Sequence, residues 1–518
     1  MAFGFLIQVM RIIFRTYFLF PLLLILFHAN PLYAGLNGEV RWSLNDLPKK
    51  IDNLDWRSLD RWYILTHLFE TIITFDLSQN VTSGIAGSWQ VSDDRLHYIF
   101  KIRKDAKFSN GKDITSSDAI FSLKRYLLQQ KKNNIFKNSI MGIKKLNQLS
   151  DNIEGLEFIN EKEFGIKLNF SLENIWSFLA QPQIGGIVSI DSIDTKTLIM
   201  KDDFVSSGPY KLSEKSDSQI ILAVNTHHHS YDKGMPESIV LLKHNSIDES
   251  VDWFKKGKTN FYSILSPFQN PGSEYIDAKN SIEYPYHPYH RVGFLYLNRN
   301  NKFLSDIKVR RLIASNLSSE YFTVYNNKLL SWDNNFFPPG SPGYLTKLKS
   351  FEKNGQYSLD EPIFLTIIVE PELRNSRFLN IVAERLKKAN ITVNFEYLNK
   401  IQISKRFSTG HFDAGIISLG LPMSDHSFGA YVYFVEQPAY LADLTGSIRD
   451  SFYQIIKTTD IMKKKTLLQS SSEQIHNDAV VIPLYHTAVK YFLGDDLYIK
   501  NNSHFKIDIQ LGNLRIKK

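Results

Sequence analysis

The sequence predicts an α/β protein built from two or three domains. Its 518 residues are too many for one small core. Residues 96–102 alternate apolar and polar side chains, which predicts a strand, and residues 115–127 place apolar side chains on one helix face. Residues 363–397 show a strand, a helix and a strand in succession, which predicts a βαβ unit with a right-handed crossover.

The stretch from Leu96 to Leu123 joins the first strand and helix of this pattern. Asn110 and Gly111 follow the strand and predict a tight turn, because glycine tolerates positive φ. Thr115 directly precedes the helical pattern and is predicted to be its N-cap, with Asp118 at the third helical position. The sequence therefore predicts a strand, a turn and a capped helix here.

Similar patterns predict the neighbouring elements. Residues 38–44 predict the first strand, and residues 60–73 predict a helix with its apolar side chains on one face. A helix over residues 248–256 is expected to end at Gly257 as a C-cap. Residues 412–417 predict a further strand.

The N-terminus has the features of a signal peptide. Arg11 and Arg15 precede an apolar run over residues 17–27, which is only 11 residues long and too short to span a bilayer easily. Leu32-Tyr33-Ala34 offers a cleavage site after Ala34. We therefore expect residues 1–34 to be removed on export, and an uncleaved anchor is the alternative.

Composition restricts the class of partner. The net charge is +8 and the pI is about 9.1, but the 61 basic residues are spread among 53 acidic ones. Without a long basic block, we expect no nucleic-acid partner. The chain has no cysteine, which excludes disulfides and a lipid anchor on cysteine. A signal peptide without such an anchor predicts a soluble periplasmic protein and not a lipoprotein.

The sequence carries no catalytic motif that predicts an enzyme. It lacks a G-x-S-x-G elbow and an H-E-x-x-H helix. Gly257-Lys258-Thr259 resembles the end of a phosphate-binding loop, but Asp252 stands where the first glycine is required. Three adjacent histidines, His227 to His229, cannot all face one ion, so we expect a surface cluster and neither a metal site nor a cofactor.

Several blocks resemble one known family. Residues 84–94 and 96–123 resemble the conserved block of the family-5 extracytoplasmic solute-binding proteins, the oligopeptide- and dipeptide-binding family that serves ABC importers. Asn110, which stands where the family usually has aspartate, is a mild departure. Further similar blocks are Val-Ser-Ser-Gly-Pro-Tyr-Lys-Leu at 205–212 and Val-Val-Ile-Pro-Leu-Tyr at 480–485.

The resemblance implies a two-lobed, type II-like periplasmic-binding-protein fold with an extra inserted subdomain and mixed sheets flanked by helices. It implies a monomer that delivers its ligand to ABC permease subunits in the inner membrane. The expected segments are a signal peptide at 1–34, lobe I at 35–76, 205–287 and 484–518, the inserted subdomain at 77–204, and lobe II at 288–483.

Ligand contacts in this family cluster after the first strand, near the strand that crosses between lobes, and after a later strand. The residues at these places are Trp42, Ser43, Asn45, Tyr289, Arg291, Ser418, Gly420 and Asp425. For each aromatic residue, core packing is the alternative. In peptide-binding members an aspartate in the last region pairs with the free amine of the peptide. Asp425 falls late in that register, so an amine ligand depends on Asp425 facing the cleft.

Four functions remain open on this evidence. The first is capture of peptides for an ABC importer, and the second is the same fold with a sugar, a metal chelate or another small solute. The third is a secreted hydrolase, which the lack of a catalytic motif disfavours. The fourth is a binding lobe that passes a ligand signal to a partner.

Overall fold

The computed structural model describes most of the chain after residue 37. The described residues are 38–55, 58–76, 80–130, 134–173, 175–264, 281–283, 291–322, 330–348, 351, 359, 361–374, 376–421, 426–436, 446–487, 490–499 and 514–517. The predicted signal peptide, residues 1–34, lies outside them.

The largest sheet of the described residues has seven strands. Their order is β12-β19-β11-β1-β10-β9-β8, and β1 pairs in parallel with β10 and β11. The strands are β1 (Glu39–Leu44), β8 (Tyr210–Lys215), β9 (Gln219–Val224), β10 (Ser238–Lys243), β11 (Phe261–Ile264), β12 (Ser281–Glu283) and β19 (Lys490–Leu493). Three distant chain segments thus build one seven-stranded sheet, and the predicted strand at 38–44 lies near its middle.

A six-stranded sheet, also counted over the described residues, lies in the C-terminal half. Its order is β14-β18-β13-β17-β15-β16. The strands are β13 (Arg291–Leu297), β14 (Leu330–Trp332), β15 (Ile363–Val369), β16 (Ile391–Tyr397), β17 (Ala414–Gly420) and β18 (Val481–Thr487). β15 and β16 pair in parallel on either side of a helix at Arg377–Lys387, which confirms the predicted βαβ unit.

A four-stranded antiparallel sheet of the described residues lies between segments of the seven-stranded sheet in the sequence. Its order is β4-β5-β7-β6. The strands are β4 (Ala86–Val91), β5 (His97–Ile102), β6 (Leu156–Asn160) and β7 (Glu163–Lys167). Two short pairs complete the described strands: β2 (Ile73–Phe75) with β3 (Val81–Ser83), and β20 (Leu497–Ile499) with β21 (Leu514–Ile516).

Helices cover these sheets. The α-helices of the described ranges are α1 (Leu59–Leu68), α2 (Ser116–Gln129), α3 (Ile135–Ser139), α4 (Ile175–Leu179), α5 (Pro182–Gly185), α6 (Ile247–Lys255), α7 (Ile307–Asn316), α8 (Arg377–Lys387), α9 (Lys400–Ser408), α10 (His426–Tyr431), α11 (Gly446–Ile455) and α12 (Ile461–Asp478). Each large sheet has its own buried hydrophobic cluster.

The capped helix predicted at Thr115 is confirmed atom by atom. The Thr115 hydroxyl accepts from the amide of Asp118, and the Asp118 carboxylate accepts from the amide of Thr115. This capping box satisfies amides that the first turn of a helix leaves without partners. Gly111 adopts a φ of 83°, as the predicted turn requires.

Two predicted boundaries are wrong. The helix expected over residues 60–73 ends at Leu68, because Ile72 bonds to Gly185 and Ala86 and Ile73 begins β2. The return to the first lobe was predicted at residue 484, and this position is too early in the chain. All of β18, up to Thr487, pairs with β13 and β14 in the six-stranded sheet. The chain rejoins the seven-stranded sheet only in β19.

Gly293 in β13 is covered by an aromatic ring. A Cβ added at Gly293 would lie 2.0 Å from Cζ of Tyr485, whose ring is buried. We expect Gly293→Ala to lower the free energy of unfolding by about 2–3 kcal/mol, because the ring must leave its packed position. Denaturant titration measures this change.

The matched control lies on the neighbouring strand. Within the described part of the chain, a Cβ at Gly420, the last residue of β17, would meet no heavy atom within 4 Å. Gly420→Ala is therefore expected to change the free energy of unfolding by less than about 0.5 kcal/mol. Equal losses in the two variants would contradict the packing argument.

Candidate functional site

Three of the predicted ligand residues meet where the two central strands of the six-stranded sheet, β13 and β17, begin and end. Arg291 opens β13 and pairs directly with Gly420, the last residue of β17. The Arg291 guanidinium donates from Nη2 to the Ser418 hydroxyl at 2.7 Å, and the Ser418 carbonyl oxygen lies 3.4 Å from the same nitrogen. The antiparallel pairing thus holds Arg291, Ser418 and Gly420 together. We call these three residues the Arg291 cluster.

The Arg291 cluster borders open space. All three residues are half-buried, and no heavy atom of the described residues lies within 4 Å of where a Cβ on Gly420 would stand. The Ser418 hydrogen bond orients the guanidinium, whose planar array of N–H donors matches carboxylates and carbonyl oxygens. The Arg291 cluster is thus suited to bind an anionic or carbonyl-bearing ligand.

The predicted residues on β1 are placed differently from the expectation. Trp42 is only 1% exposed and packs between Tyr63 and Phe261, with ring centroids 4.9 and 5.1 Å away. Ser43 is also buried, and its hydroxyl lies 2.6 Å from that of Ser250. Both side chains are committed to the interior of the seven-stranded sheet, so we do not retain them as ligand contacts.

Of the remaining three predicted residues, Asn45 is the one that the structure describes. Asn45 lies exposed just beyond β1, and its amide donates to Asp60 at 2.9 Å. Tyr289 and Asp425 lie outside the described residues, so their roles stay predictions.

A cavity of about 550 Å³ elsewhere in the C-terminal half is lined by Asp333, Asn335 and Tyr344 among others. None of the described members of the predicted set lines it.

Side chains packed with the four-stranded sheet also contact the C-terminal half of the chain. The rings of Phe178 and Phe428 pack edge to face with centroids 4.8 Å apart. Phe428 and Tyr431 of α10 join the hydrophobic cluster of the four-stranded sheet. Nearby, the Lys464 ammonium lies 3.0 Å from the Glu173 carboxylate. These contacts connect the two parts through side chains that lie outside the strands of both sheets.

Comparison with known proteins identifies the family. The model of the bacterial extracellular solute-binding proteins, family 5 middle, matches residues 80–440, which is more than half of the chain. The chain belongs to this family. The resemblance stated from the sequence is thereby confirmed.

Relatives of this family-5 protein match over most of their length. The periplasmic oligopeptide-binding protein OppA of Escherichia coli K12 is 22% identical over 485 residues, covering 87% of this chain and 86% of OppA. The structure of Haemophilus influenzae OppA in complex with the peptide RPPGFSPFR superposes with a TM-score of 0.76 at 15% identity, covering 93% of this chain and 99% of that one.

A second similar structure carries a different ligand. The periplasmic binding protein AgaA from A. tumefaciens R10, in complex with agropinic acid, superposes with a TM-score of 0.73 at 17% identity, covering 93% of this chain and 99% of AgaA. These likenesses establish the two-lobed fold of periplasmic binding proteins for this family-5 chain. No helix within its described ranges combines the length and apolarity needed to cross a bilayer.

The family-5 chain also contains a buried imidazole–carboxylate cluster that the sequence did not predict. His228 Nε2 lies 2.6 Å from Oε2 of Glu70, and His229 Nε2 lies 2.9 Å from both of its carboxylate oxygens. The side chains of His228, His229 and Glu70 are 5%, 11% and 12% exposed. The expected surface cluster is therefore wrong for these two histidines.

The electrostatics of this cluster are unusual for a buried carboxylate. Burial works to raise the pKa of Glu70, but the charge and hydrogen bonds of the two imidazoles outweigh it and hold that pKa well below its usual range. Glu70 follows α1 in the chain, whereas the histidines lie in the connection between β9 and β10. A pairing across so many residues leaves no signal in a single sequence.

Proposed function

We propose that this chain is the substrate-binding component of an ABC importer. It captures peptides in a cleft between its two lobes and delivers them to permease subunits in the inner membrane by hinge closure. In this proposal it works as a monomer in the periplasm, after export directed by residues 1–34, and carries no lipid anchor. Membership of family 5 and the likeness to oligopeptide-binding relatives support it.

The Arg291 cluster is the observation that carries the proposal. A peptide presents carbonyl oxygens along its backbone and a carboxylate at its end. The Arg291 guanidinium, oriented by Ser418, lies beside the open space at Gly420 and can donate to either group. Contacts to backbone groups and termini tolerate varied side chains, which suits a protein that captures many peptides.

The lobes follow from the sheets. We assign the seven-stranded sheet to lobe I, the six-stranded sheet to lobe II and the four-stranded sheet to the inserted subdomain, so lobe II extends to Thr487. In this assignment the contact of Phe178 with Phe428 joins the inserted subdomain to lobe II. A contact across the two parts is suited to form on closure and to break on opening.

A bulky side chain at Gly420 tests the site. Gly420→Trp is expected to weaken peptide binding at least about 100-fold, because the indole occupies the open space beside Arg291. Peptides from a mixed library are first screened by their stabilisation of the wild-type protein, which reaches about 2.7 kcal/mol at a hundredfold excess over Kd. Calorimetric titration with the strongest hit then compares the variants.

Gly420→Ala is the size control and should bind within about threefold of wild type, since a methyl group fits the same space. Circular dichroism establishes that both variants are folded. If folded Gly420→Trp bound the peptide as tightly as wild type, the Arg291 cluster would not line the ligand site.

A non-peptide solute is the second candidate. AgaA shares this fold and was solved with agropinic acid, so the fold alone does not select peptides. The thermal screen therefore includes sugars, sugar acids and metal chelates beside peptides. Stabilisation by one of these compounds and by no peptide would favour the second candidate. Mass spectrometry of the recovered ligand tests the binding role. A carrier should return the ligand with its mass unchanged, whereas a hydrolase should return cleavage products.

A further inference from the structure

The cluster of Glu70, His228 and His229 offers three metal-ligand atoms that converge. Each residue contributes one atom, and these atoms lie within 4.8 Å of one another. Imidazole nitrogen and carboxylate oxygen are ligands that Zn²⁺ accepts, and sites with two histidines and one glutamate leave a fourth position for water. We propose that this cluster is a binding site for one Zn²⁺ ion, separate from the ligand cleft.

The geometry needs only a small adjustment to accept the ion. Zinc bonds of about 2.0–2.2 Å in a tetrahedron separate the ligand atoms by about 3.3 Å. The two imidazole nitrogens now lie 2.6 and 2.9 Å from the nearest Glu70 oxygens. Ring rotations that displace the nitrogens by a few tenths of an ångström make room for Zn²⁺. The protons that these contacts share are released when the ion binds.

An outer partner is already in place for His228. The Ser230 hydroxyl lies 2.7 Å from Nδ1 of His228, and the Ser230 backbone amide donates to the same nitrogen over a longer 3.3 Å, a contact that a protonated Nδ1 would give up. When Nε2 binds a metal, Nδ1 carries the proton and donates it to a neighbour, and this hydroxyl is within reach. Partners of this kind fix the ring orientation of metal-bound histidines.

The charges around the cluster are compatible with a dication. Glu70 supplies one negative charge in a buried setting. Arg103 approaches His229 Nε2 to 3.3 Å and opposes a cation, but its guanidinium also forms an ion pair with Asp105 at 2.7 Å. Binding would link Glu70, just after α1, to the loop after β9.

Zinc titration of the mature, untagged protein after chelator treatment tests the proposal. We expect one equivalent to bind, and Glu70→Gln, His228→Gln and His229→Gln each to weaken binding at least about 100-fold. Ser230→Ala should cost about 10-fold, since loss of an outer partner typically costs about 10–100-fold. His227→Gln is the matched control and should bind as wild type does, because the ring of His227 lies near Gly111.

X-ray absorption at the zinc edge supplies a readout that does not depend on variants. The wild-type complex should show two imidazoles and at least one oxygen at about 2.0–2.2 Å. Circular dichroism establishes which variants are folded. Absence of saturable binding, full binding by folded Glu70→Gln and His228→Gln, or a spectrum without two imidazoles would each overturn the proposal. None of these outcomes bears on peptide binding, so the proposed function stands or falls separately.

Discussion

Lowering the pH from 7 to 4 is expected to remove about 3 kcal/mol of stability through one side chain, His67. His67 is buried at the end of α1, and its ring nitrogen Nδ1 lies 2.6 Å from the carbonyl oxygen of Tyr63. Burial disfavours the charged ring and lowers its pKa from the usual 6.5 to about 4, although the hydrogen bond to Tyr63 works the other way.

The sign follows from proton linkage. Below pH 6.5 the unfolded chain takes up a proton at His67 that the folded protein refuses until about pH 4. Acid therefore stabilises the unfolded state first, and stability is lost between pH 6.5 and pH 4. Each pH unit in that window is worth about 1.4 kcal/mol, which gives the stated loss. Denaturant titrations at several pH values measure it.

His67→Asn isolates this contribution. Asparagine keeps a donor for the Tyr63 carbonyl but cannot take up the proton. The variant is expected to lose about 3 kcal/mol less than wild type between pH 7 and pH 4, whatever its stability at pH 7. His411→Asn, at an exposed position, should lose as much as wild type. Parallel curves for wild type and His67→Asn would show that His67 takes up its proton equally in both states.

Local patterns were predictable because neighbouring residues determine them. The capping box at Thr115 needs only two side chains three positions apart. The βαβ unit is confirmed because apolar runs of the right lengths follow one another within residues 363–397. Gly208 shows the limit: the glycine stands in a block that resembles the family, but a backbone contact that the sequence does not reveal is what requires it. A Cβ there would lie 2.4 Å from the carbonyl oxygen of His67.

Long-range pairing set the features that the sequence did not predict. The chain was expected to leave the second lobe at residue 484, within β18. This prediction failed because the sequence of a strand does not state which strands it pairs with. His228 and His229 form hydrogen bonds with the carboxylate of Glu70, and a run of histidines alone cannot indicate this partner.

The predicted ligand residues also differ in where their strands place them. Arg291 and Gly420 lie at the paired ends of β13 and β17, and Ser418 lies two residues before the end of β17, so the pairing of these strands brings the three together. Trp42 and Ser43 lie within β1, which is buried between neighbouring strands, so both became interior residues. Burial separates the two groups: Trp42 and Ser43 are buried, whereas the other three residues are half-buried.

Removal of Asp52 is expected to have the largest effect on stability. Arg125 of α2 is only 1% exposed, and its Nη2 donates to both carboxylate oxygens of Asp52 at 2.7 and 2.6 Å. Its other nitrogens donate to the Asn53 side chain and to the Leu198 carbonyl. Asp52→Ala leaves a buried guanidinium without its counter-ion, so we expect the free energy of unfolding to fall by about 3–5 kcal/mol.

Two comparisons make this expectation specific. Asp191→Ala breaks an ion pair with Lys112 whose side chains are 73% and 65% exposed, so it should lower the free energy of unfolding far less than Asp52→Ala does. The double variant Asp52→Leu/Arg125→Met removes both charges and should be more stable than Asp52→Ala, because no charge remains buried without a partner. This network joins the segment after β1 to the helix on the four-stranded sheet. If Asp52→Ala cost no more than Asp191→Ala, Arg125 would have to reach water in the variant, and the junction would be held by the apolar contacts around it.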